Sequence, residues 1–469
     1  MQRRDFFKNG SLAFLGTALL NPISGKTTSI LDSSLKGKTA KNIIFMVSDG
    51  MSIGTLQLAD TFKYRKEGKH SNWVQLLQDP VTRRALMDTA SNNSIVTDSA
   101  AASSSWGGGK RVNNGALNVN PDGSYNKPIL QKFKAKGKSV GCVTSVPITH
   151  ATPAGFCVNN NRRGDMDEIA ADYLKLRFDV MMGGGVDVFS ANKRKDKRDL
   201  FTEFKNAGFA VARNRKEMLA INKLNNKPVL GIFHADSLPY SVDRNSDNQL
   251  IDNTPTLAEM TKTAIDQLSK NKNGFVMQVE GGKIDWAAHA NDAAALIYEQ
   301  LAFDDAVKVA MDFARSNKDT LLIVTTDHGN ANPGIFSGKN TDKHFDSLQF
   351  YKHSNDWILM GINNKNTVDQ VRERIEAAQG IGITKEEAKL ILDHYNKLDD
   401  EGLYNSYKLP FKDLSVVLGN YNAIGFGSMS HSGDYVELTA YGPGSELITP
   451  FVKNYEMHNI MLTAAGVLA

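Results

Sequence analysis

Four apolar runs in this chain stop at residues able to hold a metal or move a proton, and no other feature constrains the fold as tightly. NIIFMVSDG, Asn42 to Gly50, stops at Asp49, and SVGCVTSVPITHAT, Ser139 to Thr152, stops near His150 and Thr152. GFVMQVEGGKID, Gly274 to Asp285, stops at Glu280 and then Asp285; TLLIVTTDHGN, Thr320 to Asn330, stops at Asp327 and His328. Such runs alternate with helical patterns, which predicts βα units. The expected fold is α/β, a large, mostly parallel central sheet flanked by helices on both faces. Ligands of such sheets bind outside the carboxyl ends of the strands. If the four strands share one sheet, they deliver acids and imidazoles to one edge.

A chain of 469 residues is long enough for one large α/β domain with insertions. Residues 330 to 423 read as such an insertion, a helical subdomain over or beside the site. It holds TVDQVRERIEAAQG and ITKEEAKLILDHYNKL, the second with Thr384 and Glu387 at capping-box spacing. Between Arg194 and Asp243 a helical DLFTEFKNAG and a strand-like KPVLGIF read as peripheral elaboration, and KRKDKR, Lys193 to Arg198, as a solvated helix start. The charge balance, 55 basic against 51 acidic residues, is too even for a nucleic-acid partner.

The N-terminus reads MQRRDFFKNGSLAFLGTALLNPISG. Its apolar run, Ser11 to Leu20, falls short of the roughly 20 residues that span a bilayer. A basic start, a short apolar core and a polar exit make residues 1–25 a signal peptide, and Arg3 with Arg4 resembles the twin-arginine type. Export to the periplasm or beyond, without a stable membrane anchor, is the expectation. Cys142 and Cys157 are the only cysteines. Two do not make a disulfide framework, and neither has zinc-ligand spacing. Cys142 belongs to an expected buried strand; whether the pair is bridged stays open.

Chemistry concentrates in a few fragments. In KIDWAAHAND, Asp285 and His289 are four apart, on one face of a helix. Asp327 and His328 are adjacent at a strand end, and His431 lies in the Ser/Gly-rich SMSHSGDYVEL. Imidazole and carboxylate together are zinc ligands, whereas magnesium prefers oxygen. In VTDSAAASSSWGGGK the Asp98-Ser99-Ala100 sequence would present Ser99 at a turn entering a helix, whose N-terminus favours an anion. Tiny neighbours let phosphate and metals crowd in, and Gly107 to Gly109 serve close packing. Serine is a weak nucleophile until a base or a metal takes its proton.

DGMS at Asp49, TDSAA at Ser99, HATPAGF at His150, VEGGKIDWAAH from Glu280 to His289, TTDHG at Asp327 and H-S-G at His431 come in the order of the alkaline phosphatases. The chain resembles that family from about Asn42 to its C-terminus. The resemblance implies hydrolysis of small phosphate monoesters through a covalent phosphoserine, with two zincs and one magnesium, in a homodimer. By motif, Ser99 resembles the nucleophile. Asp285, His289 and His431 resemble the ligands of the leaving-group zinc; Asp49, Asp327 and His328 resemble those of the zinc beside the serine. Asp49 would bridge to magnesium with Thr152 and Glu280. The phosphate-gripping arginine falls thirteen residues after His150, at Arg163, with Arg162 a solvated neighbour.

Two positions depart from part of the family. His150 stands where some relatives carry an acid, and either binds the third metal or hydrogen-bonds its waters. Trp286 stands where some carry lysine or histidine, and an indole offers one N–H donor only. His70, His234, His344, His353, His394 and His458 match no motif and read as structural, with His344 the one within reach of the site mouth. The rival readings are a diesterase or sulfatase of the same superfamily and a non-catalytic phosphate-binding protein. Arg163, which suits a second free phosphate oxygen, and the absence of a sulfatase motif at Ser99 favour the monoesterase.

Overall fold

The structure, a computed structural model, describes residues 39–221, 226–398 and 408–467. Ten strands form the central sheet: β1 (Asn42–Val47), β2 (Arg83–Asp88), β3 (Ser139–Pro147), β4 (Val180–Gly184), β5 (Ala210–Ala212), β6 (Val229–Ile232), β7 (Phe275–Glu280), β8 (Thr320–Thr325), β13 (Val436–Tyr441) and β14 (Phe451–Lys453). Their order is β14-β2-β13-β8-β1-β7-β3-β4-β6-β5. Only β13 runs against the rest, pairing antiparallel with both β2 and β8. The four strands singled out above, β8, β1, β7 and β3, are consecutive neighbours in parallel register. Their carboxyl ends therefore open onto one edge.

Successive side chains of a strand point to opposite faces, and β1 is buried on both. Ile44 and Met46 enter one apolar layer with Leu58 and Phe62 of the helix Ile53–Glu67 and the long helix Ala293–Ser316. Ile43, Phe45 and Val47 enter the other, where Phe45 lies 5.0 Å from the Trp106 ring and 5.2 Å from Phe156. Trp106 closes the helix Ser99–Gly108, and Phe156 belongs to the helix Ala151–Cys157. These two helices touch so closely that a Cβ on Gly107 would fall 1.9 Å from the Gly155 carbonyl oxygen. The small-residue stretch thus packs one face of its helix while Ser99 begins it. Cys142 and Cys157 are buried free thiols, 3.6 Å apart at sulfur.

The expected insertion is tied off at its base by a short antiparallel pair, β10 (Pro333–Ile335) with β11 (Ile424–Phe426). Between them stand helices at Thr341–Ser347, Asn355–Met360, Val368–Gln379, Lys385–Tyr395 and Phe411–Asn422. The predicted capping box at Thr384 and Glu387 is formed, and Thr367 with Gln370 makes a second. Ile358, Val371 and Ile375 share one continuous core with Ile44, so the insertion packs onto the sheet layer below it. A second small pair, β9 (Gly329–Asn330) with β12 (His431–Ser432), brings His431 against the end of β8.

One local reading fails. Lys193 to Arg198 is a turn, not a helix start; the helix begins at Leu200, capped by Asp199. Arg194 is buried, gripped by Asp196 and by the carbonyls of Asp167 and Val188. Three backbone and carboxylate acceptors converge there, which the alternating charges of the sequence do not reveal. Among the described residues no helix is long and apolar enough to cross a membrane. The expected signal peptide lies outside the described residues.

Candidate active site

At the end of β1 the chain turns through Gly50 at φ +68°, and a Cβ there would sit 2.5 Å from an Asp285 carboxylate oxygen. The Gly50 amide donates to Asp327 Oδ1 at 3.0 Å, and the His328 amide donates to the same oxygen. Asp327 Oδ2 is left without a partner, as is Asp49 Oδ1. His328 Nε2 faces both, 3.2 Å from Asp327 Oδ2 and 3.6 Å from Asp49 Oδ1. Ser99 Oγ is 3.3 Å from that nitrogen and almost wholly buried. Asp98 caps the serine's helix by accepting from the Ala101 amide at 2.9 Å.

A second set lies on the more open side. His289 Nδ1 donates to the Met429 carbonyl at 2.8 Å, and His431 Nδ1 donates to the Thr97 carbonyl at 2.9 Å. Both protons are thereby placed on Nδ1, and the two Nε2 lone pairs face one another at 3.1 Å. Asp285 closes the set, Oδ2 at 3.4 Å from His289 Nε2 and Oδ1 at 3.5 Å from His431 Nε2. Two opposed lone pairs beside a carboxylate repel unless a cation sits between them. Burial works against a charge on His431, yet Asp285 raises its pKa to about 9, so the set draws positive charge to Nε2, a proton or a cation in its place.

The third set is Asp49, Glu280 and His150. Thr144 donates to Glu280 Oε2, and Thr152 Oγ1 lies 3.4 Å from Asp49 Oδ2. Glu280 Oε1 and His150 Nδ1 have no partner. Burial, then the charges of Asp327, Asp285 and Glu280, hold Asp49 well above the usual carboxylate range. Burial likewise pushes Glu280 up to about 7, and desolvation with the Arg163 charge pushes His150 down to about 3. An uncompensated buried charge costs on the order of several kcal/mol. Orphaned acceptors, crowded carboxylates and a neutral imidazole fit divalent cations in all three sets.

Arg163 spans the site's rim, Nη1 on Asp98 Oδ2 and Nη2 on His150 Nε2, each at 3.0 Å. Arg162 is largely exposed beside it. All eleven sequence-predicted site residues, Asp49, Ser99, His150, Thr152, Arg163, Glu280, Asp285, His289, Asp327, His328 and His431, stand at this edge of the sheet. His344 does not join them; it lines a neighbouring cavity. His70, His353 and His458 are engaged by Asp60, Asp243 and the Trp106 carbonyl. Trp286 packs edge-on to His150 at 6.1 Å, and the buried Lys283 lies 5.1 Å over its ring. Sequence reasoning missed two residues. Asn330 donates to Asp285 Oδ1 at 2.7 Å, and Asp98 fixes the Arg163 fork. Each adjoins a motif, which is the only signal that could have found it.

The alkaline phosphatase family model matches residues 40–467. The chain belongs to the alkaline phosphatase family. Alkaline phosphatase 3 of Bacillus subtilis is 33% identical over 426 residues, covering 89% of this chain and 87% of that protein. The crystal structure of Thermus thermophilus alkaline phosphatase superposes with a TM-score of 0.85 at 30% identity, covering 96% of both chains. An alkaline phosphatase from the Antarctic bacterium TAB5 is similar at 25% identity and a TM-score of 0.64, covering 92% of this chain and 99% of that one. It was solved as a histidine-to-glutamate mutant with magnesium bound in its M3 site.

Proposed function

We propose that this alkaline phosphatase hydrolyses phosphate monoesters through a covalent phosphoserine on Ser99, with two zincs and one magnesium held by the three donor sets. The reaction class comes with the family; the assignment of roles rests on the facing lone pairs of His289 and His431 beside the Ser99 set. Zinc in the first two sets would supply Lewis acidity for ionising a hydroxyl and expelling an alkoxide. The third set is proposed to hold magnesium through Asp49, Glu280 and Thr152, with His150 as a ligand or as a partner of its waters.

Within that frame the side chains divide the work. Ser99 Oγ, at the first turn of its helix, attacks phosphorus, and the helix N-terminus favours the anion there. Arg163 takes two phosphate oxygens with the fork that Asp98 holds in place. The leaving alkoxide departs in line, away from Ser99 and toward Asp285, His289 and His431. Water then attacks the phosphoserine from the vacated side and releases inorganic phosphate, restoring the serine. Catalysis is largely positioning and electrostatics, as phosphoryl transfer requires.

Export under the direction of residues 1–25 and assembly into a homodimer complete the proposal. So does a catalytic domain of residues 40–469 that includes the 330–423 insertion. The test is steady-state hydrolysis of a chromogenic monoester beside the matching diester and sulfate, before chelation, after it, and after zinc and magnesium are returned. Monoester preference that follows the metals is expected. Ser99→Ala should lower the rate by on the order of a thousandfold and abolish labelled phosphoserine. Trapping the label in that variant would overturn the assignment.

A further inference from the structure

A cavity of about 720 Å³ opens between the β10–β11 pair and the helices Thr341–Ser347 and Phe411–Asn422. That is the size of a pocket for a whole small molecule, far beyond what a phosphate group fills. Two parts of its wall touch the leaving-group side of the site. Met429, whose carbonyl accepts the His289 Nδ1 proton, lines it, and so does Asn291, two residues beyond His289. A substrate attacked in line by Ser99 sends its leaving oxygen toward this set, and the cavity lies on the Nδ1 side of His289, whose side chain is 40% exposed.

The lining has a definite character. Lys339, Lys412 and His344 contribute three groups able to carry positive charge, and no carboxylate among the described residues lines the cavity. Neither lysine has a hydrogen-bonding or ion-pair partner among the described residues. Phe336 lies against Gly425, where a Cβ would come within 2.8 Å of the ring, yet its side chain is 60% exposed. An exposed ring in a concave site with unpaired cations marks a binding surface.

We propose that this cavity receives the organic part of the ester, and that favoured substrates are monoesters whose leaving group is anionic and carries a planar ring. The ring would lie on Phe336, and the second anionic group would meet Lys339 and Lys412. The proposal rests on the assignment of the leaving-group side made above.

Adenosine 3′,5′-bisphosphate, a monoester at both phosphates, has both features, and glycerol 3-phosphate has neither. The full metal-loaded protein is expected to show kcat/KM at least about tenfold higher for the former, the worth of about 1.4 kcal/mol. Replacing both lysines (Lys339→Ala with Lys412→Ala) should lower that ratio about tenfold, mainly through KM, and Phe336→Ala should lower it severalfold. Calorimetric binding of the non-hydrolysable bisphosphonate analogue of adenosine 3′,5′-bisphosphate, with methylene in place of each ester oxygen, should weaken in parallel. Equal losses for both esters, or variants that leave the ratio and the analogue's affinity unaltered, overturn the proposal while the hydrolase stands. Lysine-dependent analogue binding without turnover of either ester would instead leave the cavity's ligand in place and overturn the catalytic reading.

Discussion

The sheet edge and the insertion above it are built on opposite principles. At the edge His289, His328 and His431 are each held by a carbonyl or a carboxylate, His150 is met by Arg163, and the serine sits at a capped helix start. What remains unsatisfied there, Asp49 Oδ1, Asp327 Oδ2 and Glu280 Oε1, is buried and turned inward on the same small volume. In the insertion Lys339 and Lys412, without a partner among the described residues, are exposed around a wide cavity with Phe336. The first arrangement leaves a cation little freedom of position; the second leaves an organic group considerable freedom. Chemistry is preorganised where substitution is costly, and choice among substrates is placed where it is cheap.

The strongest way to break this comparison is to remove the metals. Chelation should abolish turnover and lower the thermal midpoint by several degrees, because Asp49, Asp327, Asp285 and Glu280 then face one another uncompensated. Scanning calorimetry before and after zinc is returned reads this; an unchanged midpoint would mean the edge is not organised around cations.

Asn330→Ala probes the support of the edge, since it removes the 2.7 Å hydrogen bond that the Asn330 side chain donates to Asp285 Oδ1. Loss of such a partner typically costs about 10–100-fold in metal affinity. Zinc competition with a chromophoric chelator should show that loss with the fold intact by circular dichroism.

His150→Asp sharpens the third set. Exchanging an imidazole for a carboxylate suits magnesium, a hard cation that prefers oxygen. Half-maximal activation should need about tenfold less magnesium, a shift of about 1.4 kcal/mol. A magnesium titration showing no shift would place His150 outside that ion's reach.

The smallest effect lies at the seam between the two regions. Asp292 caps the helix Ala293–Ser316 and also accepts from the Asn355 amide of the insertion at 2.5 Å. Burial pushes its carboxyl up to about 7, with help from Asp356 and Asp243 and against the amide bonds of Ala295 and Asn355. In the fold it keeps a proton that the unfolded chain loses above about 4, so its contribution is present at low pH and is lost as pH rises through 7. Asp292→Asn should flatten the fall of the thermal midpoint of the metal-loaded protein between about pH 5 and 7. A slope identical to that of the native chain would remove Asp292 from the account.

Legibility in the sequence followed the range of the interaction. Strand ends at Asp49, Glu280 and Asp327 were readable because a run of apolar residues that stops at an acid is a local signal. The capping box at Thr384 was readable for the same reason. Arg194 was not: its acceptors at Asp167 and Val188 are separated from it in sequence and meet only when the turn closes. Asn330 and Asp98 were unassigned because asparagine and aspartate near a turn have many uses, and only the distances to Asp285 and Arg163 select one.

Sequence by itself determined the α/β class, the order of the motifs and the residue types offered at the strand ends, since period, composition and helix spacing are local properties. Tertiary structure alone decided that β8, β1, β7 and β3 are neighbours, that the Nε2 atoms of His289 and His431 meet at 3.1 Å, and that a cavity lined by Lys339 and Lys412 opens near them. The reason is physical: a donor set is defined by distances of a few ångströms between residues up to 279 positions apart, as between Asp49 and His328, and only packing of the sheet and its two apolar layers brings such distances about.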